Sequence, residues 1–289
     1  MQTQPDRPDK PDRSTRVGVV VLVLVGVVLA LLVAVMSSFE RSTDAALAGL
    51  AEMLAPTATP REAEASDETP VYGPCVVEIE RTGDTFSVLQ TAVFGSVSGD
   101  TLEIRGVCVG PTAIRTRLAL VGVPTTEQPN PTLDGGSFGT VLALSNARVA
   151  LLGLTVTNGK TPFRGGGVYL QGGWLSLDDS SSVTGNTAGW QGGGIYNLGG
   201  TVTLNHSSSV TGNTAGTEGG GIYNLDGTVI LNHASSVTGN TAEGDGGGIY
   251  VEPEGSGPVY VCSDEVRISP NDPDDPPKVL QVCPDDPTA

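Results

Sequence analysis

TGNTAGWQGGGIYN, Thr184 to Asn197, returns as TGNTAGTEGGGIYN from Thr211 and as TGNTAEGDGGGIYV from Thr238. The register is strict. Val156, Val183, Val210 and Val237 stand 27 apart, as do Tyr169, Tyr196, Tyr223 and Tyr250. A fixed period between about 20 and 50 residues marks a solenoid, in which each unit buries its apolar face only against its neighbours. A degraded copy follows after a short insertion, with Ile268-Ser269-Pro270-Asn271 in place of Val-Thr-Gly-Asn.

Each unit holds three short alternating segments, SSVTGN, GIYN and TVTLN. The expectation is an all-β solenoid with three short strands per 27-residue coil and a triangular section. Alternation directs Val210, Ile222, Val229 and Leu231 inward, and Tyr223, Thr228 and Ile230 outward. Stacked coils lie about 4.8 Å apart, which sets each residue over its counterpart one period earlier. At a sharp corner a side chain would strike the next coil. Glycine avoids that collision and admits positive φ, which accounts for Gly192-Gly193-Gly194 and its copies. Asn186, Asn213, Asn240 and Asn271 form another corner column, where stacked amides can bond to one another and to the turn backbone.

Upstream, DTLEIRGVCV, RTRLALVGV, TLDGG and TVLALSNARVALLGLTVTNG read as less regular coils. Ahead of them, DTFSVLQTAVF places Phe86, Leu89, Val93 and Phe94 on one face of an expected helix capped by Asp84 or Thr85. Such a helix would cover the first open coil.

The pattern SSSVTGNTA...GGGIYN...GTVTLN resembles that of extracellular right-handed parallel β-helix repeat proteins of the pectin lyase-like fold, whose repeats are similar to those of polymorphic outer-membrane proteins. The segment SVLQTAVFGSVSGDTLEIRGVCVG resembles the start of such domains, and the likeness runs from about Cys75 to Asn271. The resemblance implies the right-handed parallel β-helix. It specifies no function, because the superfamily holds polysaccharide lyases and hydrolases beside adhesins.

The flanks suggest how this domain is displayed. Val17 to Met36 is an uncharged apolar run long enough, at about 1.5 Å per residue, to span a bilayer as a helix. Arg7, Lys10, Arg13 and Arg16 precede it and only Arg41 follows closely, so residues 1–16 are expected in the cytoplasm and the rest outside. A cleaved signal peptide is the alternative, but its apolar stretch is usually about 7 to 15 residues. The domains expected are 1–16 disordered, 17–36 transmembrane helix, 37–72 juxtamembrane helix and linker, 73–271 β-helix and 272–289 acidic proline-rich tail. That tail is too short to hold a membrane β-barrel, so an autotransporter arrangement is not expected. The localisation expected is a single-pass cell membrane protein with its C-terminal domain extracellular. The formal charge of -17 argues against nucleic acid as a partner.

Candidate sites follow from the columns. Cys75, Cys108, Cys262 and Cys283 should oxidise outside the membrane; of three possible pairings, Cys75 with Cys108 and Cys262 with Cys283 is expected, because each pair flanks one end of the solenoid. Tyr169, Tyr196, Tyr223 and Tyr250 should form an outward aromatic column, with Phe163, Trp174 and Trp190 on nearby corners, suited to sugar rings or simply to mutual stacking. Asp179, His206 and His233 hold equivalent places in adjacent coils, where they could hold a metal or merely form turns. No catalytic set is assigned and no cofactor is expected. Of the NxD, DD, GHG and RxK elements of the related hydrolases, only Asp178-Asp179 has a counterpart. The expected function is therefore a membrane-anchored cell-surface interaction module whose partner is a glycan or another cell-envelope component. The alternative is a carbohydrate-active enzyme, a polysaccharide lyase or hydrolase.

Overall fold

The computed structural model describes residues 73–253, 257–263, 265–273 and 280–283. The expected membrane helix, the linker and most of the acidic tail lie outside the described residues. Among the described residues no helix is long and apolar enough to cross a membrane.

The repeat folds as its period demands. Val156, Val183, Val210 and Val237 pair in register through parallel strands, Thr155–Thr157, Ser182–Thr184, Ser209–Thr211 and Ser236–Thr238. With Val107–Val109 and Thr132–Asp134 they form a six-stranded sheet, one strand for each of six turns. All four valines are fully buried. Each contributes about 1.5 to 3 kcal/mol through removal of its side chain from water. Ile195, Ile222 and Ile249 make a second inward column, and Val202 and Val229 a third.

The strands divide among the three sides differently from the expectation. GIYN and TVTLN belong to one side, the fourteen-stranded sheet, and not to two. In the preceding coil both segments are a single strand, Val168–Asp178, which later splits into Ile195–Leu198 and Thr201–Leu204. The break falls at Gly199-Gly200, which Asn197 spans: its Nδ2 donates to the Gly200 carbonyl at 3.0 Å and its Oδ1 accepts from the Gly200 N–H at 3.1 Å. The third side is instead a stack of dipeptide strands, Lys160–Thr161, Thr187–Ala188, Thr214–Ala215 and Thr241–Ala242. Two residues carry no alternation to read.

The corners work as the sequence implies. Gly192 has φ of +68°. A Cβ on Gly193 would stand 2.4 Å from the Thr214 carbonyl oxygen and 2.5 Å from that of Gly220, both in the next coil. The asparagine column is buried: Asn186 Nδ2 donates to Asn213 Oδ1 at 3.0 Å, Asn213 Nδ2 to Asn240 Oδ1 at 2.9 Å, and Asn240 Nδ2 to Asn271 Oδ1 at 3.1 Å. Asn271 thus continues the ladder into the degraded copy, beside the bridges Ser236 to Arg267 and Thr241 to Asp272.

At the other end, Val76–Ile79 pairs antiparallel with both Asp84–Phe86 and Thr101–Arg105 before the parallel coils begin. The covering helix is present but shorter than expected, Leu89–Gly95. Asp84 and Thr85 do not cap it, because they are drawn into the antiparallel strand. Leu89, Ala92 and Val93 face the core, whereas Phe94 points to solvent. Arg81 Nε and Nη2 grip Asp100 at 2.7 and 3.0 Å, and this hydrogen bonding holds the Asp100 carboxyl below the usual carboxylate range.

Candidate functional site

Two aromatic surfaces result, and they are separate. The tyrosine column stacks as expected, with centroid spacings of 5.3, 5.2 and 5.2 Å along Tyr169, Tyr196, Tyr223 and Tyr250. It is not an open outward platform, however: Tyr196 is 1% exposed and Tyr223 5%. The glycine corner folds over it so closely that a Cβ on Gly192 would meet Tyr196 Cα at 2.8 Å. Burial pushes the hydroxyls of Tyr196, Tyr223 and Tyr250 above their ordinary pKa of 10.0, and Tyr223 is held further by its hydrogen bond to Glu252.

A pH dependence follows. These groups stay protonated in the fold while the unfolded chain ionises, so the stability they contribute is complete below about pH 10 and declines as pH rises through their folded values. In an alkaline titration, phenolate absorbance from these three side chains should appear only together with loss of β circular dichroism. Reversible ionisation of all six tyrosines in a folded chain would contradict this reading.

Trp190 and Phe163 occupy the glycine corner as expected, edge to face at 6.3 Å and half exposed or more. Arg164 lies between Trp190 and Tyr196, 5.5 and 5.3 Å from their centroids, and its Nε donates to Gln191 Oε1 at 2.8 Å.

Trp174 is placed elsewhere. It sits within the long strand Val168–Asp178, not on a corner, and contributes to the outer face of the large sheet. Its register partner one coil back is Arg148, whose own partner is Arg117. Two residues further along these strands, and so on the same face, stands a row of small outward side chains, Thr101, Ala119, Ala150 and Ser176. Together they enclose a groove of about 550 Å³, within the range of about 300 to 1,000 Å³ usual for ligand sites. The indole Nε1–H donates to Thr203 Oγ1 at 3.0 Å, and the Arg148 guanidinium lies 3.9 Å over the ring centroid. The two arginines gave no signal in sequence, because neither occupies a repeated position.

The proposed metal set does not assemble. His206 and His233 stack at 5.0 Å, but the carboxylate that meets His206 Nδ1, at 3.2 Å, belongs to Asp178 and not to Asp179. Among the described residues no group of three or more His, Cys, Asp or Glu side chains has a metal-binding arrangement. Asp179, His206 and His233 each have positive φ, between 43° and 49°, and so does the residue after each. The column is a stack of left-handed turns, a conformation that polar residues tolerate better than most. The cysteines pair as expected, Cys75 with Cys108 and Cys262 with Cys283.

Coils stacked in register around three sheets define a parallel β-helix repeat protein. Residues 180–198, 207–225 and 234–252 match the family model described as the Chlamydia polymorphic membrane protein (Chlamydia_PMP) repeat, and the chain is a β-helix repeat protein resembling those proteins. No match is found among curated proteins or solved structures. Each matched segment runs from the left-handed turn through the asparagine rung and the glycine triplet to the tyrosine. The groove, built from Gly99 to Ser176, lies outside all three segments.

Proposed function

We propose that this chain is a surface-exposed, adhesin-like interaction module that binds a glycan, without cleaving it, through the groove between Arg117 and Trp174. In this reading Val17 to Met36 anchors it to a membrane. The resemblance of its repeats to those of polymorphic membrane proteins supports a surface location. The observation that carries the reading is the groove itself: a pinned indole, two guanidinium groups and hydroxyls over a floor of alanines on the outer face of the large sheet. Glycosidic hydrolysis uses a pair of carboxylates across the bond, and no residue lining the groove is acidic.

The test is a glycan array probed with the full chain and with Trp174→Ala, run beside a reducing-end assay on the glycans bound. Selective binding that the variant loses, with no new reducing ends, is expected. A blank array would leave a spacer role, and release of reducing ends would make the protein an enzyme; either result ends this proposal.

A further inference from the structure

The groove has an electrostatic character that the glycan reading does not require. Arg117 and Arg148 are direct cross-strand partners, and like charges so placed repel one another. In a chain of net charge -17, acidic partners should be easy to find. Arg81 is held by Asp100, and Arg105 by Glu78 and Glu103. Yet the side chains of Arg117 and Arg148 form no hydrogen bond or ion pair with any described residue. The carboxylate next to the groove floor, Asp100, is already taken by Arg81 and by the Val97 N–H, at 2.9 Å.

Arg148 is also held in place in advance. Trp174 is fixed through its bond to buried Thr203, and the guanidinium lies on the indole face. Such stacking restrains the side chain while leaving its N–H donors free around the rim of the guanidinium plane. A planar carboxylate fits those donors two at a time. Because less motion remains to be lost on binding, the arrangement favours affinity.

We infer that the groove recognises a sugar bearing a carboxylate, with the carboxylate between Arg117 and Arg148 and the ring over Ala119 and Ala150, near the hydroxyls of Thr101 and Ser176. This rests on the glycan reading above and narrows it. Asp178 lies just beyond Ser176, which donates to it at 2.6 Å, so the negative end of the ligand faces the arginines.

The experiment is calorimetric titration of the full chain with a glucuronic-acid-terminated oligosaccharide and with the same compound whose carboxylate has been reduced to the alcohol. The acid should bind about ten- to hundredfold more tightly than the alcohol, from the usual strength of a charged hydrogen-bonded contact, and its affinity should fall with added salt. Arg117→Gln and Arg148→Gln should each abolish most of that preference while keeping wild-type circular dichroism. Arg115→Gln, outside the groove, should bind as wild type does. Equal binding of acid and alcohol overturns the carboxylate assignment and leaves the glycan reading standing. Binding of neither compound, with a blank array, removes both. A preference for acid that survives in both arginine variants places the site elsewhere and overturns the inference.

Discussion

Asn213→Ala should lower the unfolding free energy by roughly 3 to 5 kcal/mol, the largest loss expected from any single side-chain truncation in the repeat. Asn213 is fully buried and uses all of its amide. Its Oδ1 accepts from the N–H and the Nδ2 of Asn186, both at 3.0 Å. Its Nδ2 donates to the Val183 carbonyl at 2.9 Å, the Thr211 carbonyl at 3.1 Å and Asn240 Oδ1 at 2.9 Å. Truncation strips partners from several groups that water cannot reach, at about 1 to 3 kcal/mol for each one left unsatisfied. Chemical denaturation is the measurement. Asn271→Ala, at the half-exposed end of the ladder, should cost clearly less because water can replace the amide. An Asn213→Ala chain with the wild-type midpoint and slope would show that the ladder does not hold the coils together.

The second large effect is steric. Gly193→Ala puts a methyl group 2.4 and 2.5 Å from two backbone carbonyl oxygens of the next coil. Those oxygens belong to strand and corner hydrogen bonds, among them Gly194 N–H to the Gly220 carbonyl at 3.1 Å. The coils must part locally to admit the methyl, and a loss of about 3 kcal/mol or more is expected. Gly199→Ala separates this clash from backbone strain. Gly199, unlike Gly193, has positive φ, +68°, but a Cβ there would meet nothing within 4 Å. Only the left-handed penalty of about 1 to 2 kcal/mol should apply. If the two variants melt together, coil spacing is not what requires the glycine.

Both predictions concern features legible in the sequence, and the reason is the stacking. A parallel solenoid with a constant coil length lays identical residues over one another, so a column in space is a period in the chain. The buried columns of Val183 and Ile195, the amide ladder and the need for Gly193 could all be read in that way. A second amide column, Asn197 with Asn224 at 2.7 Å, was equally readable as Asn in two successive GIYN copies. That column is short, because the third copy carries Val251 in its place.

Where coil length varies, the reading fails. Arg117, Arg148 and Trp174 are not one period apart, because the loops between the upstream coils differ in length; only the strand registers bring them side by side. The burial of Tyr196 comes from the Gly192 corner folding over the residues just after it and from the tyrosines stacked in the coils on either side, neither of which alternation along a strand reports. The third side of the coil rests on two-residue strands, too short for any alternation. The sequence by itself thus determined the stacking direction, the core columns and the corner chemistry, since each is a relation between a residue and its own copy. The tertiary structure alone decided the groove and the carboxylate that meets His206, since each joins residues that the repeat does not relate, and it decided the burial of the tyrosines, since that depends on how closely the glycine corner folds over them.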